Sequence, residues 1–221
     1  MNLKKLSLVV AISLTPLAAH ASGFTGPYVG GQLGQVNGKD DGIELQPTPT
    51  FDGYTQNTSP KGKAFGILGG YNWAINDKML WGVDGGLELR SMSDNTVQAL
   101  YGVPQPIYPT TTKVNQALSV RARFGYVFNE GRTLTYLAAG LADAHITRNF
   151  GGADFSQWKT GLTVGLGAEH FINEKLSLGL DYRYTSYGTS DVDVSSVFGP
   201  NTIEQQKYKE QSLLLGMAYH F

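Results

Sequence analysis

The chain has 221 residues, a formal net charge of −1, 16% charged residues, 28 glycines and no cysteine. The near-neutral balance removes the electrostatic footing for nucleic-acid binding, which needs a basic excess. The missing cysteine excludes disulfides, thiolate metal sites and a cysteine nucleophile together. The length suits one domain or one sheet-rich barrel, and charged residues fall below the roughly 25% of an average soluble domain.

The N-terminal stretch MNLKKLSLVVAISLTPLAAHASGF carries Lys4 and Lys5, an apolar run from Leu6 to Leu17, and Ala19-His20-Ala21. A basic n-region, a short h-region and an A-x-A site predict a signal peptide over residues 1–21. The run is shorter than the roughly 20 residues of a bilayer helix. The mature chain is expected to start at Ser22, which sets His20 aside as a site residue.

Beyond it, helical periodicity is absent and strand alternation recurs. Strands are predicted over residues 27–37, 63–75, 80–92, 113–128, 133–147, 158–171, 176–187 and 207–221. Short polar turns at 76–78, 129–132 and 173–175 alternate with long segments at 38–62, 93–112, 148–157 and 188–206. That strict alternation predicts an all-β fold, an eight-stranded antiparallel up-and-down transmembrane barrel with short periplasmic turns and long surface loops.

Parity within the strands assigns the faces. Trp81, Val83, Leu87 and Leu89 oppose Asp84, Glu88 and Arg90; Leu178, Leu180, Tyr182 and Tyr184 oppose Asp181 and Arg183. Large apolar residues with aromatics at strand ends (Trp73, Trp81, Tyr126, Tyr184, Tyr219) match a lipid-facing surface with aromatic girdles. The parity of the first and fifth strands is ambiguous, because both faces carry small residues. The opposite face gathers Asp84, Glu88, Glu169 and Asp181 with Arg90, Arg121, Arg123 and Arg183. An eight-stranded barrel is just wide enough for its side chains, so these charges are expected to pair into a neutral plug. Luminal glycines are expected to make room for the guanidinium groups.

The segments GPYVGGQLG (26–34), GGYNW (69–73), WGVDGGLELR (81–90), SVRARFGYVF (119–128), YLAAGLA (136–142), TVGLGAEHF (163–171) and LDYRYTSYG (180–188) share one order and one character. With them, the chain resembles the small outer-membrane β-barrel proteins of Gram-negative bacteria, the porin-family group akin to the OmpA transmembrane domain and OmpX. The ending GMAYHF, with Gly216, Tyr219 and Phe221, is similar to the signal such proteins present to the barrel-assembly machinery. Leu214 occupies the slot where that signal has a polar residue. The resemblance covers residues 22–221 and implies a location in the outer membrane, among its lipids and lipopolysaccharide. No peptidoglycan-binding domain is expected after the last strand. A monomer is expected.

Other chemistry finds little support. GGQLG and GLTVGLG open no helix and lack the spacing of a phosphate loop. His145, His170 and His220 lie on three strands with no local partner, so neither a metal nor a cofactor is expected. Some eight-stranded barrels modify lipid A, but here His145 precedes Ile146-Thr147 where the deacylase type has His-x-Ser. The expected role is therefore non-catalytic, structural and surface-interacting through the long loops. A small-solute channel of low conductance is the alternative, with Asp143 reaching the upper lumen. Lys63, Lys207 and Lys209 fall on outward parity near the surface rim, where lipopolysaccharide phosphates would meet them.

Overall fold

The computed structural model describes residues 23–221, so the signal-peptide reading and His20 lie outside the described residues. The chain forms β1 (Gly26–Leu45), β2 (Phe51–Thr58), β3 (Lys61–Ala74), β4 (Met79–Leu100), β5 (Val103–Phe128), β6 (Thr133–Phe150), β7 (Ala153–Phe171), β8 (Leu176–Asp193), a helical turn α1 (Ser195–Phe198) and β9 (Ile203–His220). Except for β2 and β3, sequential neighbours pair antiparallel, and β9 returns to β1 to close the ring. β2 is not a ninth stave. β1 pairs with β3 from Gly26 to Asn37 and with β2 from Asp40 to Leu45. β2 and β3 are thus consecutive pieces of one stave, interrupted at Ser59-Pro60, where proline has no N–H to donate to a ladder. The ring has eight staves.

The ends of the barrel follow from turn chemistry. At one end, Asn76 Oδ1 accepts from the backbone N–H of Lys78 and Met79 (3.0 and 2.9 Å), and Asn173 Oδ1 does the same for Lys175 and Leu176 (2.9 and 2.8 Å). These side chains close tight turns by standing in for a backbone acceptor. At the other end the structure corrects the sequence reading. The segments expected as long loops are mostly strand. β4 and β5 meet through Tyr101-Gly102, and β6 and β7 through Gly151-Gly152, each a pair with positive φ. Such two-residue turns match the natural twist of a hairpin. Thr, Val, Ile and Tyr in these segments favour strand, and their polar composition reported only that one face meets water.

The outward side chains divide into two zones. Leu33, Phe65, Leu89, Leu118, Leu141, Leu162, Tyr184 and Leu213 are exposed and apolar. The next outward residue on each stave, toward the long-hairpin end, is Gln35, Lys63, Ser91, Gln116, Asp143, Thr160, Ser186 or Gln211. One polar ring therefore marks the upper limit of the apolar band. A membrane stave needs only about 9–11 residues, whereas β5 has 26 and β4 has 22. The remainder stands beyond the band as an extension of the same barrel.

That extension is not uniformly closed. The β6–β7 ladder continues up to Phe150↔Ala153 and the β8–β9 ladder to Asp193↔Ile203, but β7 and β8 pair only as far as Leu162↔Ser186. A register shift between Ser186 and Thr189, with Gly188 at φ 67, bends β8 away from β7. Side chains bridge the seam instead. Phe150, Val192 and Val194 pack with Phe155 and Phe198, and Gln157 Nε2 reaches Ser190 Oγ at 3.5 Å.

Candidate functional site

The pleat turns alternate residues of each stave into the lumen, and at mid-barrel these are charged. Asp84 and Arg121 are direct cross-strand partners on β4 and β5. Arg121 grips Asp84 with two hydrogen bonds, Nε to Oδ1 at 2.8 Å and Nη2 to Oδ2 at 3.0 Å, and its Nη1 reaches Asp181 at 3.2 Å. Arg183 donates to Asp181, to Glu88 Oε1 at 2.8 Å and to Gln32 Oε1 at 3.0 Å. Arg90 bridges Glu88 and Glu210, each at 2.7 Å. Arg123 binds Glu169 and the Tyr28 hydroxyl, both at 2.8 Å, and its guanidinium lies 4.0 Å from the Tyr136 ring centroid. Tyr136 in turn donates to Asp181 at 2.6 Å. The eight charged residues singled out from sequence therefore meet in one network.

Forked, bidentate contacts are what let buried charges recover their desolvation cost. Glycine supplies the room. A Cβ at Gly165 would stand 3.3 Å from Arg121 Nη1, and one at Gly70 would stand 2.5 Å from the Tyr28 hydroxyl. What space is left, beside Tyr28, Asp84, Arg121 and Asp181, is a void of about 40 Å³, room for water and too small for a solute. Below it, His220 faces inward with Nε2 3.1 Å from Ser177 Oγ, packed between Phe24, Phe171 and Tyr28. Above it lies an apolar layer that includes Val36, Met92, Val114 and Ile146.

The expected balance of four acids and four bases does not hold. Glu210 joins the lower network, hydrogen-bonded by the Tyr187 and Tyr208 hydroxyls at 3.0 Å each. Its signal was present in the sequence, since outward Lys207 and Lys209 force Tyr208 and Glu210 inward. A second charged level sits in the extension, inside segments read as loops. Arg148, 1% exposed, clasps Asp40 through Nε (2.7 Å) and Nη2 (3.0 Å), and Thr112 Oγ1 donates to Asp40 at 3.1 Å. Higher still, Glu44 and Glu204 are direct partners on β1 and β9. Gln98 Nε2 donates to both, at 3.1 and 2.7 Å, and Gln56 Nε2 donates to Glu204. No arginine or lysine forms a salt bridge with this pair among the described residues. Burial, and then the charge of Glu44, push Glu204 up to about 9, so it holds its proton at neutral pH. Both groups lie beyond the apolar band.

The other residues singled out from sequence fall apart from the lumen. Lys63 and Lys207 are exposed and outward, and Lys209 is half-buried on the same face. Tyr219 and Phe221 are exposed at the short-turn end with ring centroids 5.0 Å apart, while Gly216 lies opposite Gly179 and Gln32. Leu214 points inward and is buried. Asp143 does not reach the lumen: its neighbours Ala142 and Ala144 take the inward positions, which leaves it outward beside Thr160. His145 packs outward on Trp158 at 5.3 Å between centroids, and Thr147 Oγ1 pairs with Ser156 Oγ at 2.8 Å, away from the histidine. Among the described residues, no three or more His, Asp or Glu side chains converge on a possible metal position.

The comparisons agree with this architecture. The 31 kDa outer-membrane immunogenic protein of Brucella melitensis biotype 1 is 29% identical over 97% of this chain and 91% of its own length. The 22 kDa outer membrane protein of Rhizobium leguminosarum bv. viciae is 31% identical over 70% of this chain and 64% of its own. Among solved structures, the outer membrane protein OprG from Pseudomonas aeruginosa shares the fold, with a TM-score of 0.60 at 14% identity, covering 89% of this chain and 97% of OprG. The family model described as outer membrane protein beta-barrel domain matches residues 6–221. The chain belongs to that family and is an integral outer-membrane β-barrel protein of the Gram-negative type.

Proposed function

We propose that this protein is a closed, non-catalytic barrel that serves the envelope structurally and makes contacts at the cell surface through its extracellular extension. The observation that carries this reading is the sealed lumen. A solute would have to displace the paired charges around Arg121, the apolar layer above them and the Arg148–Asp40 level in turn. The one histidine–threonine pair singled out from sequence is not assembled, since Thr147 bonds Ser156 rather than His145, which supports the non-catalytic reading. The extension is paired strand rather than mobile loop, which suits it to present a fixed surface. Its β4–β5 tip exposes Tyr101, Val103 and Ile107 at 78, 62 and 74%. No charged residue occurs between Asp94 and Lys113, so the tip fits an apolar or aromatic partner.

Planar-bilayer conductance of the refolded protein, beside Arg121→Ala, tests the plug. The wild type should be silent and the variant should leak. A steady wild-type current that Arg121→Ala leaves unchanged would sink the reading and make the barrel a small channel.

A further inference from the structure

The outward surface just beyond the apolar band is electrically divided. On β9, β1, β3 and β5, six lysines project outward: Lys63 in the first polar ring, Lys61, Lys113 and Lys209 one outward position above it, and Lys39 and Lys207 one position higher again. On β6, β7 and β8 the outward charges at and above the same level are Asp143, Asp154, Asp191 and Asp193, with no lysine or arginine among them. The lysines are neighbours in the sheet. Lys39 lies directly opposite Lys209, Asn37 lies between Lys61 and Gln211, and Ser93 lies between Lys61 and Lys113. Like charges placed directly across a ladder are destabilising unless something else neutralises them. The internal relief is small: Asp41 Oδ2 is 3.0 Å from Lys39 Nζ, and no other lysine of this face makes a salt bridge among the described residues. A cluster of this kind asks for anions from outside the chain.

We propose that this face is the docking surface for the phosphates of an outer-leaflet glycolipid, the lipid A part of lipopolysaccharide, with Lys63 at the centre and its partners on either side. Height decides for a lipid. Lys63 is the first outward residue beyond Phe65, so its ammonium stands where lipid acyl chain gives way to headgroup. Lysine suits the task, as a flexible point charge that can follow a phosphate without a fixed fork. A second copy of the chain, bringing its acidic face to the basic one, fits less well because those acids are already engaged. Asp154 accepts from Asn149 Nδ2 at 2.7 Å, Asp191 from Gln205 Nε2 at 3.2 Å and Asp193 from Ser195 N at 3.0 Å. Lipid is therefore held on one side of the barrel. The opposite side presents the β7–β8 seam and its carboxylates. The inference rests on the outer-membrane placement and is independent of the plug, since the six lysines point away from the lumen.

The test is a native mass-spectrometry titration of the folded, full-length mature protein in detergent with bisphosphoryl and monophosphoryl lipid A. The triple variant Lys61→Gln, Lys63→Gln, Lys113→Gln is compared with Lys78→Gln, Arg132→Gln, Lys175→Gln, which removes as many charges at the short-turn end. With each surface lysine contributing roughly fivefold, the basic-face variant should lose more than tenfold in affinity for bisphosphoryl lipid A and most of its preference over the monophosphoryl form. The control should keep both. Equal loss in the two variants would reduce the effect to overall charge and overturn the proposal. Unchanged binding in the basic-face variant would also overturn it. So would inorganic phosphate that competes as effectively as the lipid, or loss of self-association with lipid binding intact. Heat-modifiable mobility on gels reports that both variants fold, and their bilayer conductance reports the plug separately.

Discussion

Most stave arginines and lysines are sorted by face, Lys159 opposite inward Ala144 being an exception. Arg90, Arg121, Arg123, Arg148 and Arg183 point inward and make salt bridges, whereas the lysines of the extracellular boundary on β1, β3, β5 and β9 point outward. A planar fork can satisfy two carboxylates without water, and an ammonium keeps its hydration best at a surface. Replacing Arg121 should therefore be severe. Arg121→Ala leaves Asp84 without a cation and Asp181 with Arg183 alone, and should cost about 3–5 kcal/mol in urea unfolding followed by tryptophan fluorescence. Arg121→Lys should restore only part of that, because one ammonium cannot span both acids. Glu204 gives a second residue-scale prediction. Its folded pKa lies above the ordinary glutamate value, so the folded state holds an extra proton between that value and about 9. Stability must then fall as pH rises through that window. Glu204→Gln should remove this loss, so its melting temperature should change less than the wild type's between about pH 6 and about pH 10. Identical pH profiles for the two proteins would mean that Glu204 does not hold its proton through that window.

At the level of elements, two of the free strand edges of the extension, those of β5 and β7, are treated differently. β5 runs beyond its last β6 partner at Thr110, and that free stretch carries Pro104, Pro106 and Pro109, which cannot offer N–H groups to a foreign strand. β7 above Leu162 has no proline, and its protection is the side-chain packing of Phe155 on Phe150. Hydrogen exchange should expose the difference. The amides of residues 153–161 that point away from β6 should exchange far faster than those of β6 on the same hairpin, because opening there breaks no ladder. Uniform protection along that hairpin would show that β7 and β8 pair to the top. The same segments show how the sequence was misread. Residues 93–112 and 148–157 look like loops because they are polar and rich in Thr, Asn, Pro and Gly. Arg148, Asp40, Glu44 and Glu204 lay inside regions where no face could be assigned, so the upper charged level escaped notice. Glu210, on a strand that was recognised, needed only the parity of its lysine neighbours.

The whole molecule is one continuous barrel with two surroundings, lipid around the lower half and water around the upper. Proteolysis should report that continuity. In proteoliposomes with the extension outward, trypsin should cut slowly at Arg148, which is buried, and at Lys113, whose backbone is paired on both sides. Rapid cleavage at both would mean that the upper half behaves as loops after all. Strand alternation, turn spacing and the inward placement of Asp84, Glu88, Arg121, Arg123, Glu169 and Asp181 were set by the sequence alone, because a period of two assigns each side chain to a face before any partner is known. The tertiary structure decided which carboxylate each arginine takes, how far the staves run past the membrane, where β7 leaves β8, and which strands carry the lysines side by side. These depend on register and closure, which join residues more than a hundred positions apart, as Arg90 joins Glu210. A face can be read along one strand, but a neighbour exists only once the ring is closed.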